Sequence, residues 1–285
     1  MNYIKEMRIQ HYIKNILIFS APIFSGQIFH IKVFTITFLG FVSFSLMCSC
    51  IYFINDICDI EKDRLHETKK YRPLAAGKIK IERAILFTIL LFIISLGITY
   101  YISYNIISLT ILMIYFIINL FYSVKGKNIP LLDIVLLSSG FLLRVLYGGY
   151  ITGISISVWL YLIVITGAFY LGFGKRRNEL IKSSDTTRKV LAFYSKEFLD
   201  KNMYSCMTLS VVFFSLWCLE KNMINESVNW MILVPILLLI CIRYSMDIET
   251  IESSGDPVRV ILKDKVLMGM GICFGILIFY MIYKK

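Results

Sequence analysis

Asn55-Asp56-Ile57-Cys58-Asp59-Ile60-Glu61-Lys62-Asp63 is the stretch whose residue types and spacing most clearly suggest chemistry. The run before it, Val33 to Ile54, carries no acidic or basic side chain, and Asp56, Asp59, Glu61 and Asp63 then follow in quick succession. Carboxylates at the mouth of a lipid-buried helix are costly to place there and mark substrate or ion sites. On a helix that continues past Ile54, Asn55/Asp59 and Asp59/Asp63 are i,i+4 pairs and Asp56/Asp59 an i,i+3 pair, so their oxygens converge on one side. That suits a hard cation such as Mg²⁺, held by one or two carboxylates while phosphate oxygens fill its remaining positions. The negative end of the helix dipole favours a cation at the same place. The plain alternative is a charged stop at the membrane surface, and Lys62 and Arg64 interleave as it would require. Clustered acids at the apolar boundary gain nothing from membrane topology, which favours the metal site.

Arg144 is the only charge in Ile134–Tyr150. An interior guanidinium there is suited to reach an anionic ligand. Asp133 falls on the same helical face, but about 16 Å away along the axis, too far for a direct ion pair. Lys175-Arg176-Arg177 follows Gly172-Phe173-Gly174, and Lys125 and Lys127 sit in a shorter connection. Topology alone demands basic residues at such helix ends; together they would also make a cationic basin for a multiply phosphorylated, Mg²⁺-chelated substrate. Tyr52, close to one turn before Asn55, is placed either to hydrogen-bond a ligand or to anchor the helix at the interface. No histidine and no buried glutamate offers itself as a general base.

The elements that must position these residues are membrane helices. The chain has 285 residues, of which 58% are hydrophobic, more than a soluble domain of this size could hide. Nine spans are predicted, near 15–30, 34–54, 82–102, 106–123, 131–151, 156–173, 204–219, 228–245 and 266–283. The first is short and needs tilt or help from Lys5–Tyr12. No separate secretory signal precedes it. The net charge of +11 is one-sided. Outside the spans, only Lys32, Lys221, Lys284 and Lys285 fall opposite the N-terminus. The positive-inside rule therefore predicts a multi-pass cell-membrane protein with the N-terminus and charged loops cytoplasmic and the C-terminus outside. The long charged loops, 55–83 and 175–201, follow spans two and six, which hints at a duplicated four-helix unit. Ser253–Pro257 is a turn cluster. Seven scattered cysteines lack zinc spacing and are expected to be reduced thiols.

Taken together, these segments resemble the UbiA superfamily of intramembrane prenyltransferases, and within it the decaprenyl-phosphate phosphoribosyltransferase branch. Asn-Asp-x-x-Asp-x-x-x-Asp at 55–63 is similar to the first Asp-rich motif of the superfamily. The likeness extends to Lys14–Pro22, Tyr71–Gly77, Pro130–Leu136, Gly140–Arg144, Gly174-Lys175-Arg176 with Glu179, and Arg243-Tyr244. Two departures stand out. Ile9, His11 and Tyr12 replace the Pro, Gln and Trp usual in the opening segment. After span six, where ordinary superfamily prenyltransferases carry a second Asp-rich motif, this chain has Lys175-Arg176-Arg177-Asn178-Glu179, and Asp185 and Asp200 are isolated.

The resemblance implies an all-α membrane protein, a single polytopic transferase domain over 1–285 in one bundle, with its active site open to the cytoplasm. It implies Mg²⁺-dependent transfer of 5-phosphoribose from phosphoribosyl pyrophosphate to a polyprenyl phosphate, releasing diphosphate. Asn55, Asp56 and Asp59 would hold the metal, and Asp56, Asp59 and Asp63 would serve the chemistry. Lys14, Tyr52, Lys69, Arg72 and Tyr122 would bind substrate, joined by Lys125, Lys127, Arg144, Lys175 and Arg176. A phosphate monoester has its second pKa near roughly 6, so the acceptor is already a nucleophile without a base. The runner-up is a prenyltransferase moving a prenyl chain from its diphosphate to an aromatic or lipid acceptor; it would need the second acidic motif. A flippase would need charged sites on both faces. No nucleic-acid partner is implied, and an oligomer is compatible with the sequence.

Overall fold

The structure, a computed structural model, describes residues 2–65, 68–182, 189–224, 229–250 and 257–284. Asp185 and 253–256 of the predicted turn cluster lie outside the described residues. Every regular element among them is helical, as lipid requires of a chain that must satisfy its own backbone hydrogen bonds. In order these are α1 (Asn2–Met7), a 3₁₀ segment (Ile9–Phe19), α2 (Ser20–Phe24), α3 (Ile31–Cys58) and α4 (Ile60–Leu65). They are followed by α5 (Ile81–Ile102), α6 (Ile106–Val124), α7 (Leu132–Thr152) and α8 (Val158–Lys182). The last are α9 (Lys196–Ile224), α10 (Leu233–Thr250), α11 (Pro257–Lys263) and α12 (Lys265–Tyr283). Eight helices among the described residues are long and apolar enough to cross a membrane.

The first predicted span, 15–30, is not one of the eight. It is the end of the 3₁₀ segment followed by short α2. A 3₁₀ helix rises about 2.0 Å per residue against about 1.5 Å for an α-helix, so Ile9–Phe24 still extends on the order of 30 Å, the thickness of a hydrocarbon core. The segment runs antiparallel to α3. Arg8 meets Asp56, Tyr12 Oη meets Ser49 Oγ at 2.6 Å, Asn15 Nδ2 donates to Ser45 Oγ at 2.8 Å, and the Phe19 and Phe41 rings lie 5.9 Å apart. From Arg8 to Phe19 the 3₁₀ rise gives about 22 Å, the same advance that α3 makes from Asp56 back to Phe41. Tyr12, Asn15 and Ile18, three apart, share one face of such a helix, and that face is the one turned inward.

The chain packs as two compact units, residues 1–124 with 143–155, and residues 125–142 with 156–285. In the first, α3 is the helix around which the others gather. Its small residues permit close approach: Ser43 Oγ donates to the Ser95 carbonyl at 2.7 Å and Ser95 Oγ returns a bond to the Ser43 carbonyl at 2.8 Å, tying α3 to α5. Phe44, Met47 and Ile51 of α3 pack with Ile111 and Leu112 of α6 and Tyr147 and Ile151 of α7. Toward the Asp-rich end, Phe53, Leu74, Ile79, Ala84 and Leu91 close a second cluster.

In the second unit α8 lies along α9, with Tyr170, Phe173, Leu199, Met203, Tyr244, Ile248 and Leu267 in its core. The sequence predicts the end of span six at 173, before the basic triplet. The helix instead runs to Lys182, because Arg176 and Arg177 turn inward onto carboxylates rather than out to water.

Candidate active site

The Asp-rich segment is helical with one break. α3 ends at Cys58, Asp59 caps it at φ −103°, ψ 11°, and α4 resumes at once. The Asp59 N–H bonds the Asn55 carbonyl at 3.0 Å and the Asp63 N–H bonds the Asp59 carbonyl at 2.8 Å. Asp56 and Asp63 are each 3% exposed and share one guanidinium: Arg72 Nη1 donates to Asp56 Oδ1 at 3.0 Å and to Asp63 Oδ2 at 2.6 Å. Arg8 Nη2 donates to Asp56 Oδ1 at 2.6 Å and also to Oδ2, and its guanidinium lies 5.0 Å from the centre of the Tyr52 ring. Arg72 is delivered by a compact turn. The Ala76 N–H bonds the Arg72 carbonyl at 2.8 Å, Lys78 bonds the Pro73 carbonyl at 2.9 Å, and Gly77 takes the positive φ of 70° that closes it.

Arg72 thus brings Asp56 and Asp63 together, a pair the spacing argument did not single out, whereas all three predicted pairs include Asp59. Asp59, at the break, is turned toward Lys62 at 3.6 Å and keeps 35% of its side chain exposed. Asn55 is half-buried on the same turn. Among the described residues no three His, Cys, Asp or Glu side chains could by themselves hold a metal ion. The donors are hard oxygens, the kind Mg²⁺ takes, and Mg²⁺ needs only one or two carboxylates when phosphate supplies the rest. They fit a phosphate-bridged ion, not a cage made of protein alone.

Two members of this cluster carry no signal in the motif. One is Arg8. The other is Glu6 of α1, 1% exposed, which corrects the expectation that no buried glutamate would be found. Burial, reinforced by the neighbouring Asp56, pushes its carboxyl up to about 8, against the opposing pull of Arg8 and Arg72. The only trace of the pair in the sequence is an acid and a base flanking Met7 just before the first apolar run.

Arg144 occupies a separate buried network in the first unit. Its Nε donates to Asn15 Oδ1 at 2.7 Å and its Nη2 to Tyr115 Oη at 2.9 Å, with Cys48 Sγ at 3.8 Å from Nη2. The Phe44 and Tyr115 rings flank the guanidinium at 5.2 and 5.0 Å. Gly148, one turn further along α7, lets the backbone of Ile18 come close: a Cβ there would lie 2.1 Å from the Ile18 carbonyl oxygen.

In the second unit Arg176 is fully buried, with its Nε on Asp133 Oδ2 and its Nη1 on Glu179 Oε2, both at 2.5 Å. Tyr194 Oη donates to Asp133 Oδ1 at 2.6 Å and accepts the Leu131 N–H, also at 2.6 Å. Arg177 pairs with Asp200 and, at 3.4 Å, with Glu249. Asp133 is thus the partner of Arg176, and Asp200, isolated in sequence, is held in space.

Among the remaining predicted substrate residues, Lys14 is half-buried on the 3₁₀ segment, Lys69 is exposed on the turn before Arg72, and Tyr122 is half-buried near the end of α6. Lys125 is exposed and Lys127 half-buried about a short 3₁₀ turn, and Lys175 is half-buried on α8. The seven cysteines are free thiols.

Comparison with known proteins comes from three directions. The sequence profile described as the UbiA prenyltransferase family matches residues 16–190. The chain is 31% identical to decaprenyl-phosphate phosphoribosyltransferase of Corynebacterium glutamicum, over 98% of this chain and 86% of that protein. It is 33% identical to the protein of the same name from Mycolicibacterium smegmatis, over 93% of this chain and 87% of that one. Its fold matches that of a UbiA homolog from Archaeoglobus fulgidus, solved bound to DMAPP and Mg²⁺, with a TM-score of 0.72 at 18% identity, covering 96% of this chain and 99% of the other.

Proposed function

This chain belongs to the UbiA prenyltransferase family, a multi-pass membrane protein by its helices, and from that premise we propose that it transfers 5-phosphoribose from phosphoribosyl pyrophosphate to a polyprenyl phosphate. The products are polyprenyl-phosphoryl-5-phosphoribose and diphosphate, and the reaction depends on Mg²⁺. The observation that carries this reading is the near full-length similarity to two proteins named for that phosphoribosyl transfer. The arrangement of carboxylates supports it. In the first unit Asp56 and Asp63 share Arg72 and Asp59 lies at the helix break between them in sequence, whereas near the end of α8 Asp133 and Glu179 meet Arg176 and Asp200 meets Arg177. A second acidic motif free to take metal, which prenyl transfer in this family would require, is not what those side chains make.

Asn55, Asp56 and Asp59 are the proposed metal ligands. A bound Mg²⁺ would neutralise the diphosphate as it departs from the sugar C1. Arg72 holds Asp56 and Asp63 and Arg8 holds Asp56, and the same guanidinia can pass to diphosphate oxygens, where planar donors bind two at a time. Charge developing on the leaving group is then met by donors already in place. Lys14 and Lys69 are assigned to the same anion, with Tyr52 and Tyr122 as hydroxyl donors and Arg144 as an interior cation. Lys125, Lys127 and Lys175 are assigned to phosphate binding, and Arg176 to substrate binding through the group it helps to fix. The acceptor phosphate attacks C1 as a dianion, so no residue need remove a proton from it. The N-terminus and the Asp-rich loop are placed on the cytoplasmic side by their Lys and Arg content.

Purified protein incubated with radiolabelled phosphoribosyl pyrophosphate, a polyprenyl phosphate and Mg²⁺ should yield a labelled lipid-linked sugar phosphate. Label that stays aqueous, together with prenyl transfer from a prenyl diphosphate to an aromatic acceptor, would refute the assignment.

A further inference from the structure

We infer that Glu6 is a further carboxylate ligand of the divalent-ion–diphosphate site, supplied by α1 from outside the Asp-rich motif. The inference rests on the reading above that this motif holds Mg²⁺ on a diphosphate. The balance of charges around Asp56 carries it. Among the described residues three carboxyls gather there, Glu6, Asp56 and Asp63, against two guanidinia, Arg8 and Arg72. The guanidinia go to Asp56 and Asp63. Glu6 is left over, 1% exposed, with neither carboxyl oxygen hydrogen-bonded to any described residue.

A carboxyl buried without a partner is among the least favourable placements a protein makes, and it needs a reason. Loose packing of α1 does not provide one. On one side of Glu6 the Tyr3 ring stacks on Phe53 at 6.3 Å and meets Phe87 edge-on at 4.9 Å; on the other, the Met7 carbonyl accepts Ser49 Oγ–H at 3.1 Å. The helix is fastened on both sides, and the groups that the Glu6 carboxyl faces are Asp56, Arg8 and Arg72. Two residues on, Arg8 is held in the left-handed region at φ 53°, a strain that non-glycine residues keep where surrounding function demands it. A buried carboxyl without a hydrogen bond and a left-handed backbone thus fall at one point.

A divalent cation arriving with a diphosphate would give that carboxyl the partner it lacks. Arg8 and Arg72 pass to phosphate oxygens, Asp56 is released toward the ion, and the carboxylate form of Glu6 gains the positive partner it lacks. The ligand class is a hard divalent cation, Mg²⁺ or Mn²⁺, bridged to a diphosphate.

The test is equilibrium dialysis of full-length protein in detergent against Mn²⁺ with inorganic pyrophosphate, for wild type, Glu6→Gln and Glu6→Asp. Mn²⁺ affinity should fall at least about tenfold in Glu6→Gln, a loss typical of disturbed ligand shells. It should also fall in Glu6→Asp, which keeps the charge but withdraws the carboxyl by one methylene. Both variants should melt no lower than wild type without metal, since each removes or shortens a stranded group. Wild-type affinity in Glu6→Gln overturns the inference, and wild-type affinity in Glu6→Asp shows that charge and not ligation matters, which overturns it too. Failure of wild-type protein itself to retain Mn²⁺ overturns the metal–diphosphate reading and this inference with it.

Discussion

Arg144 donates its Nε–H to Asn15 Oδ1 at 2.7 Å across 129 positions of the sequence, and Gly148 is why it can. The two contacts keep step. Arg144 to Gly148 is four residues of α-helix and Asn15 to Ile18 is three residues of 3₁₀ helix, and each advances about 6 Å. A methyl group at 148 would sit 2.1 Å from a backbone oxygen, which cannot swing away as a side chain can. Gly148→Ala should therefore push the 3₁₀ segment off α7, destabilise the protein by about 1–3 kcal/mol, as overpacking does, and impair Arg144. Gly40 is the internal control: its added Cβ would meet Ile151 Cδ1 at 2.2 Å, the mobile end of a side chain. Melting temperatures in detergent should fall for Gly148→Ala and stay near wild type for Gly40→Ala; equal effects would refute the backbone argument.

Asn15 itself supplies a neutral acceptor to a guanidinium that is 5% exposed. Removing that acceptor withdraws a bond from a buried charge, at a cost of about 1–3 kcal/mol. Asn15→Ala should lower the melting temperature accordingly, and Asn15→Asp should not restore wild-type behaviour if the Ser45 bond to Nδ2 also matters. Full stability of Asn15→Ala would show that Tyr115 and the flanking rings suffice.

These contacts also show what the sequence could reveal. Eight of the nine predicted spans were legible because uninterrupted apolar runs bounded by charge leave little other choice in lipid. The Asp-rich cluster was legible for the converse reason, since acids at such a boundary need an explanation. The N-terminal segment was not. Its inward residues Tyr12, Asn15 and Ile18 repeat every three positions, a 3₁₀ period that a search for 3.6-residue periodicity passes over. The C-terminal end of α8 lies beyond the predicted 173 because Arg176 and Arg177 look like a topological stop, and only tertiary structure reveals the carboxylates of Asp133, Glu179 and Asp200 that bury them. Glu6 was invisible for the same reason: burial of a single acid has no local signature.

The Asp133–Arg176 pair is fully buried on both sides. Breaking such a pair strands one charge, which costs about 3–5 kcal/mol, whereas replacing both partners with apolar groups is often neutral. Asp133→Leu alone should lower the melting temperature strongly, and adding Arg176→Met should recover part of the loss. A double variant as unstable as the sum of the two single variants would mean that Glu179 and Tyr194, not this pair, set the geometry.

The acids of the first unit divide by what else they hold. Asp56 is clasped by Arg8 and Arg72 as well as being a proposed metal ligand, so Asp56→Asn should lose both stability and transfer activity. Asp59 is 35% exposed and paired only loosely with Lys62, so little folding energy depends on it. Asp59→Asn should leave the melting temperature within about 0.5 kcal/mol of wild type, as surface substitutions do, while transfer falls by at least about tenfold and Mg²⁺ dependence shifts to higher concentration. Measured side by side, unfolding and ribosyl transfer then separate scaffold from chemistry. Retained turnover in Asp59→Asn, with a normal Mg²⁺ profile, would remove Asp59 from the metal site and leave the ion to Asn55 and Asp56.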